Sequence, residues 1–145
     1  MKPENTMKLT FLSLSCNEAF ARAAVGAFVA PLDPTLDELG DLKTAVSEAV
    51  TNCIVHAYPT ETGNIELSCR VYPDRSIEIS VQDFGVGIPD IKAARAPLFT
   101  TGGEERSGMG FTIMEKFMSS LQVESQLGVG TTVIMSRKLH KGVYT

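Results

Sequence analysis

One predicted strand in this chain ends on a charge. Residues 77–82 alternate, with Ile77, Ile79 and Val81 on one face and Glu78, Ser80 and Gln82 on the other. Asp83 continues the apolar row and opens the run Asp83-Phe84-Gly85-Val86-Gly87-Ile88-Pro89. A carboxylate at the inward end of a strand is costly unless hydrogen-bond donors are brought to it. The fold must therefore close other groups around Asp83, while the two glycines let the backbone turn and a ligand come close. A fixed acceptor in such a gap suits a ligand amine of the kind adenine carries at N6. The same residues also suit an ordinary turn in which Asp83 caps the next element.

The surrounding pattern reads β-α-α-β-β-loop-α-β-β. Residues 7–15 form a strand with Met7, Leu9 and Phe11 on one face. Ser15-Cys16-Asn17-Glu18 matches a capping box, predicting a helix to about Ala30 that Pro31 ends. Thr35-Leu36-Asp37-Glu38 is a second box, opening a helix to about Ala57 with Leu39, Leu42, Val46, Val50 and Cys53 as its core stripe. Ile65, Leu67, Cys69 and Val71 alternate, Pro73-Asp74-Arg75 turns, and the 77–82 strand returns antiparallel. Asp90 to Arg95 is a short helix. Residues 96–107 read as a mobile loop with paired threonines and glycines. A third helix starts near Gly108 and turns Ile113, Phe117 and Met118 inward, and a final hairpin closes around Leu127-Gly128-Val129-Gly130. The expected architecture is a single α+β domain over residues 1–145. It is a two-layer sandwich with a mixed, mostly antiparallel sheet, helices on one face and a loose tail at 140–145.

Charge and cysteine usage narrow the setting. With 13 Lys and Arg against 17 Asp and Glu, the net charge of −4 argues against general nucleic-acid binding. The polar start predicts no signal peptide, and no uncharged run is long enough to span a bilayer. Cys16, Cys53 and Cys69 are odd in number and scattered, as expected of reduced cytoplasmic thiols, and Cys53 and Cys69 lie on apolar faces suited to core packing.

Three further segments carry chemistry. Glu48, Asn52 and His56 follow at i, i+4 and i+8 on the second helix. A carboxylate and an amide one turn apart suit a magnesium ion and a reacting hydroxyl, because magnesium takes few oxygen ligands from protein and keeps waters. A solvated helix face is the plainer alternative, and for His56 core packing is the expected role. Arg106-Ser107-Gly108-Met109-Gly110-Phe111 opens a helix whose free N–H groups suit phosphates. It also reads as a flexible loop with a glycine hinge, and no GxxxxGK[ST] sequence is present. Gly128-Val129-Gly130-Thr131-Thr132 alone is a hairpin turn. On the first helix, Arg22 among small residues is as suited to a partner contact as to solvent.

In this order the four segments resemble the GHKL (Bergerat-fold) superfamily of ATPases and kinases, which includes type II topoisomerases, histidine kinases and MutL. The matching positions are Glu48-Ala49-Val50-Thr51-Asn52, Asp83-x-Gly85-x-Gly87, Gly108-Met109-Gly110 and Thr131. The resemblance covers the chain from about Leu9 to Arg137. Residues 46–52, 97–101 and 105–115 are similar to the anti-sigma F family of small switch kinases of spore-forming bacteria. The start near Met1 and the lack of large added domains fit that branch. Two departures stand out: Gly102-Gly103 replaces a lysine and proline in a slightly short lid, and Ala57-Tyr58-Pro59 replaces a glycine-tyrosine turn.

The resemblance implies an ATP-dependent serine kinase that sequesters a sporulation sigma factor and phosphorylates an anti-anti-sigma protein. It implies Glu48 as the base, Asn52 on Mg2+, and Asp83 on adenine N6 with Thr131 supporting through water. Gly85 and Gly87 lie beside the base, and Thr100, Thr101, Arg106 and Ser107 form a lid (about 96–107) over the phosphates. Gly108 and Gly110 start the phosphate-binding helix. A homodimer built on the first helix and strand is implied as well. An ATP-binding module without phosphotransfer and a stress-response switch kinase of the same family remain alternatives.

Overall fold

The structure is a computed structural model that describes residues 1–96 and 110–140. Five strands alternate as the sequence requires. They are β1 (Asn5–Leu12), β2 (Asn64–Val71), β3 (Ser76–Asp83), β4 (Ser120–Gln126) and β5 (Gly130–Lys138). They form one sheet in the order β1-β2-β3-β5-β4. Every pairing is antiparallel, so the mixed component expected from sequence is absent among these strands. Ile65, Leu67 and Cys69 of β2 and Ile77, Ile79 and Val81 of β3 are buried on the face the helices cover. The opposite face is polar and carries the Arg70–Glu78 ion pair at 2.9 Å.

Helices α1 (Cys16–Val29) and α2 (Leu36–Asn52) pack against each other on that apolar face. The capping box at Thr35 forms as read: its hydroxyl accepts from Glu38 N at 3.1 Å, and Glu38 Oε1 accepts from Thr35 N at 2.9 Å. Glu38 is nonetheless buried, because Oε2 also accepts from His140 N at 2.8 Å, joining α2 to the end of the chain's last strand. The box expected at Ser15 does not form. Ser15 is already in the helical region with no side-chain cap, and Glu18 pairs forward with Arg22 at 3.2 Å. After Val29 the first helix tightens into a single turn over Ala30–Leu32 that contains Pro31 and stops at Asp33 with φ +54°.

The second helix runs to Asn52 and then widens into a π-helical turn over Cys53–Ala57. Such turns displace the following side chains relative to a regular helix. Helix α3 (Ile91–Arg95) is capped by Asp90, whose carboxylate accepts from Ala93 N at 3.0 Å. Helix α4 (Gly110–Phe117) packs on α2. Its inward residues Phe111 and Met114, with Met118 just past its end, are spaced i, i+3 and i+7. Ile113 and Phe117, expected inward, lie half-buried at the sides of that stripe.

Candidate functional site

Asp83, 5% exposed, is a buried carboxylate at the end of β3. Its Oδ1 accepts from Gly85 N and from Thr131 N, each at 3.1 Å. One donor lies two residues ahead in the glycine turn, and the other comes from the neighbouring strand β5, where Thr131 stands opposite Asp83. Burial pushes the Asp83 carboxyl above its ordinary range; the Gly85 N–H, the Cys53 thiol and the Thr131 N–H partly offset this. Burial and the Asp83 charge push the Cys53 thiol well up, so it stays a thiol.

The glycines after Asp83 are needed for two reasons. A Cβ on Gly85 would overlap the carbonyl oxygen of Ala57, so the turn runs directly under the π-helical turn. Val86 N then donates to that same carbonyl at 3.1 Å. Gly87 has φ +81° and lies against the β4–β5 turn, where a Cβ would stand 2.5 Å from the Gln126 carbonyl. Gly128 N completes the contact by donating to Val86 O at 3.0 Å.

Between this turn, the π-helical turn, α3 and the start of α4 is a cavity of about 620 Å³. Asp83, Thr131, Asn52, His56, Gly87 and Gly110 supply its polar and backbone lining. Val86, Ile88, Ala94 and Val133 make its walls apolar. A cavity of this size with few convergent polar groups is the usual form of a small-molecule site. Asn52 and Glu48 meet at its far end. A Cβ on Gly110 would stand 3.2 Å from Asn52 Oδ1 and 3.2 Å from Glu48 Oε2. Two oxygen-bearing side chains from α2 thus converge on the first residue of α4.

The site residues expected from sequence separate into groups. Asp83, Asn52, Gly87, Gly110 and Thr131 line the cavity. Glu48 stands beside Gly110 at its edge, and Gly85 lies under the turn against Ala57. The Thr131 hydroxyl shares a hydrogen bond with Ser125 Oγ at 2.8 Å, and Ser125 Oγ accepts from Ile88 N at 2.7 Å. Thr131 therefore reaches Asp83 through its backbone N–H and braces the glycine turn through Ser125. Arg22 sits on α1, paired with Glu18, and does not line the cavity. Thr100, Thr101, Arg106, Ser107 and Gly108, with most of the proposed lid, lie outside the described residues.

Three contributors escaped the sequence reading: Cys53, whose thiol donates to Ala49 O at 3.4 Å within the cavity lining, Ser125 as a brace, and Tyr58. Cys53 was legible only as an apolar-stripe residue, and nothing in the pattern around Ser125 marks it. Among the described residues no three His, Cys, Asp or Glu side chains gather as a metal cluster. Nor is any helix of these residues long and apolar enough to cross a membrane.

Comparisons with known proteins place the chain in a family. Residues 13–137 match the family model of the histidine kinase-like ATPase domain. The chain is 53% identical to the anti-sigma F factor of Clostridium novyi over 93% of this chain and 95% of that protein. It is 54% identical to the anti-sigma F factor of Geobacillus kaustophilus, covering 94% of each. Among solved structures it resembles the RsbU and RsbW domains of a Mycobacterium tuberculosis protein, with a TM-score of 0.71 at 20% identity. That match spans 97% of this chain and 34% of the other, and shows the shared fold.

Proposed function

The chain belongs to the histidine kinase-like ATPase family and, within it, to the anti-sigma F factors, and from that premise we propose an ATP-dependent switch kinase. It binds ATP or ADP, holds a sporulation sigma factor inactive, and phosphorylates an anti-anti-sigma protein on serine. It works in the cytoplasm as a homodimer, with Arg22 on α1 contacting a protein partner. The observation that carries the nucleotide reading is Asp83: a buried carboxylate, anchored through Oδ1 by two backbone donors, facing an apolar cavity of about 620 Å³.

The residues present fit a purine nucleotide. Asp83 accepts from the adenine N6 amine, while the apolar walls cover the ring and exclude water. Gly87 and Gly110 line the cavity with backbone. Asn52 would hold Mg2+ through Oδ1, with water and phosphate oxygens completing its shell, since magnesium rarely has an all-protein cage. Bound there, magnesium supplies neutralisation of the charge on the phosphates. Glu48, one turn before Asn52, orients the partner's serine hydroxyl and takes its proton; a positioned base of this kind contributes about 10²–10⁴-fold. Thr100, Thr101, Arg106 and Ser107 belong to a lid over the phosphates, and Gly108 and Gly110 start the helix that binds them.

Calorimetry with Mg-ATP and Mg-ADP tests the reading. Wild type binds both, and Asp83→Asn binds neither measurably. Glu48→Gln keeps nucleotide and sigma-factor binding but loses phosphorylation of the anti-anti-sigma protein. Failure of the wild type to bind nucleotide would overturn the assignment.

A further inference from the structure

The β2–β3 ladder ends on the rung that pairs Ile65 with Asp83. The next rung would face Asn64 with Phe84. There the hydroxyl of Tyr58 stands between the two strands. It donates to the Asn64 carbonyl at 2.7 Å and accepts from Phe84 N at 2.6 Å. Tyr58 is the first residue after the π-helical turn, and its own N–H donates to Cys53 O at 3.2 Å. Its ring is 9% exposed and lies over Gly63, where any Cβ would overlap it.

A tyrosine hydroxyl in place of a direct backbone bond spreads two strands and keeps both backbone groups satisfied. The spread occurs immediately after Asp83. It lets the chain leave the ladder at Phe84 and pass Gly85 under the Ala57 carbonyl. The wider turn that ends α2 delivers Tyr58 to this point. One segment therefore supplies both the roof of the Gly85 turn, through Ala57, and the wedge beside it, through Tyr58.

We propose that Tyr58 is a positioning residue for purine recognition: its hydroxyl wedge aims the Asp83 carboxylate at the exocyclic amine of the base. The inference rests on the adenine reading of the cavity and names a residue that sets its specificity. Tyr58 touches no reacting atom. It acts through the backbone of Phe84, whose N–H the hydroxyl holds.

The test compares Mg-ATP with Mg-inosine triphosphate, which lacks the N6 amine, on wild type, Tyr58→Phe and Asp83→Asn. Wild type prefers ATP. Tyr58→Phe breaks both hydroxyl hydrogen bonds and loses about tenfold in ATP affinity, with inosine triphosphate affinity unchanged. An unchanged ATP preference in Tyr58→Phe overturns the wedge and leaves the adenine reading intact. An equal fall for both nucleotides also overturns it, since that is the signature of general loosening. If wild type and Asp83→Asn treat the two nucleotides alike, the adenine reading fails and the proposal fails with it. Amide hydrogen exchange on the wild type gives a readout that needs no folded variant. The Phe84 amide exchanges slowly and slows further with ATP but not with inosine triphosphate. A Phe84 amide that exchanges at an unprotected rate, or responds equally to both, overturns the proposal.

Discussion

Glu48 Oε2 and the first residue of α4, Gly110, lie so close that a methyl group on Gly110 would stand 3.2 Å from the carboxylate oxygen. Asn52 Oδ1 would be equally near. The two α2 side chains and the α4 terminus thus share one small space. Gly110→Ala improves helix propensity by up to about 1 kcal/mol, so the fold holds or gains stability. The same methyl displaces Glu48 and Asn52 by a few tenths of an ångström. The expected outcome is an unchanged or raised urea midpoint with phosphotransfer reduced at least tenfold, a sensitivity expected of misplaced catalytic groups. Equal loss of stability and activity would contradict it.

Asp83 carries a stability cost alongside its proposed role. Its folded-state pKa is raised above the usual carboxylate value, mainly by burial. A raised carboxylate favours the folded state when protonated, and that contribution is lost as pH rises through the folded-state value. Asp83→Asn removes the titration. Its amide oxygen still accepts from Gly85 N and Thr131 N, while its NH2 group repels an incoming amine. Urea unfolding from pH 3.8 upward should show the wild type losing a stabilising contribution that the variant does not lose. At neutral pH the variant is at least as stable as wild type and fails to bind ATP.

Glu38 behaves in the opposite sense. Burial tends to raise its pKa, but hydrogen bonds from Thr35 and the His140 N–H outweigh this, and the net shift is downward. A lowered carboxylate stabilises above its unfolded value and loses that contribution as pH falls through the folded one. Acid unfolding below about pH 4.5 therefore includes release of the α2 cap from the strand end at His140. Glu38→Ala loses the cap and leaves the His140 N–H without this acceptor, costing roughly 2–4 kcal/mol by chemical denaturation. The acid sensitivity should be weaker in that variant.

Gly85→Ala drives a side-chain atom into the Ala57 carbonyl oxygen, a backbone group that cannot swing away. The π-helical turn and the Asp83 turn must separate. The expected result is a loss of about 2–4 kcal/mol in stability, in the range of severe single substitutions, together with loss of nucleotide binding. A variant that keeps full ATP affinity would show that the contact between these turns is dispensable.

Sequence alone determined the elements and much of the polar site. Alternation in residues 65–83 could place Ile65, Leu67, Ile77, Ile79 and Val81 on only one side of a pleated strand. The same period put Asp83 inside, and the i, i+4 spacing put Glu48 and Asn52 on one side of α2. Those are local rules, decided by a few neighbouring residues. Tertiary structure decided the rest. The second donor to Asp83 comes from Thr131, 48 residues away, because β5 pairs with β3 in that register. The widening of α2 into a π-helical turn, and the hydroxyl of Tyr58 between Asn64 and Phe84, follow from how α2 meets the sheet. No local pattern encodes that meeting, because hydrogen bonds between segments distant in sequence are set by packing, and packing is a property of the whole fold.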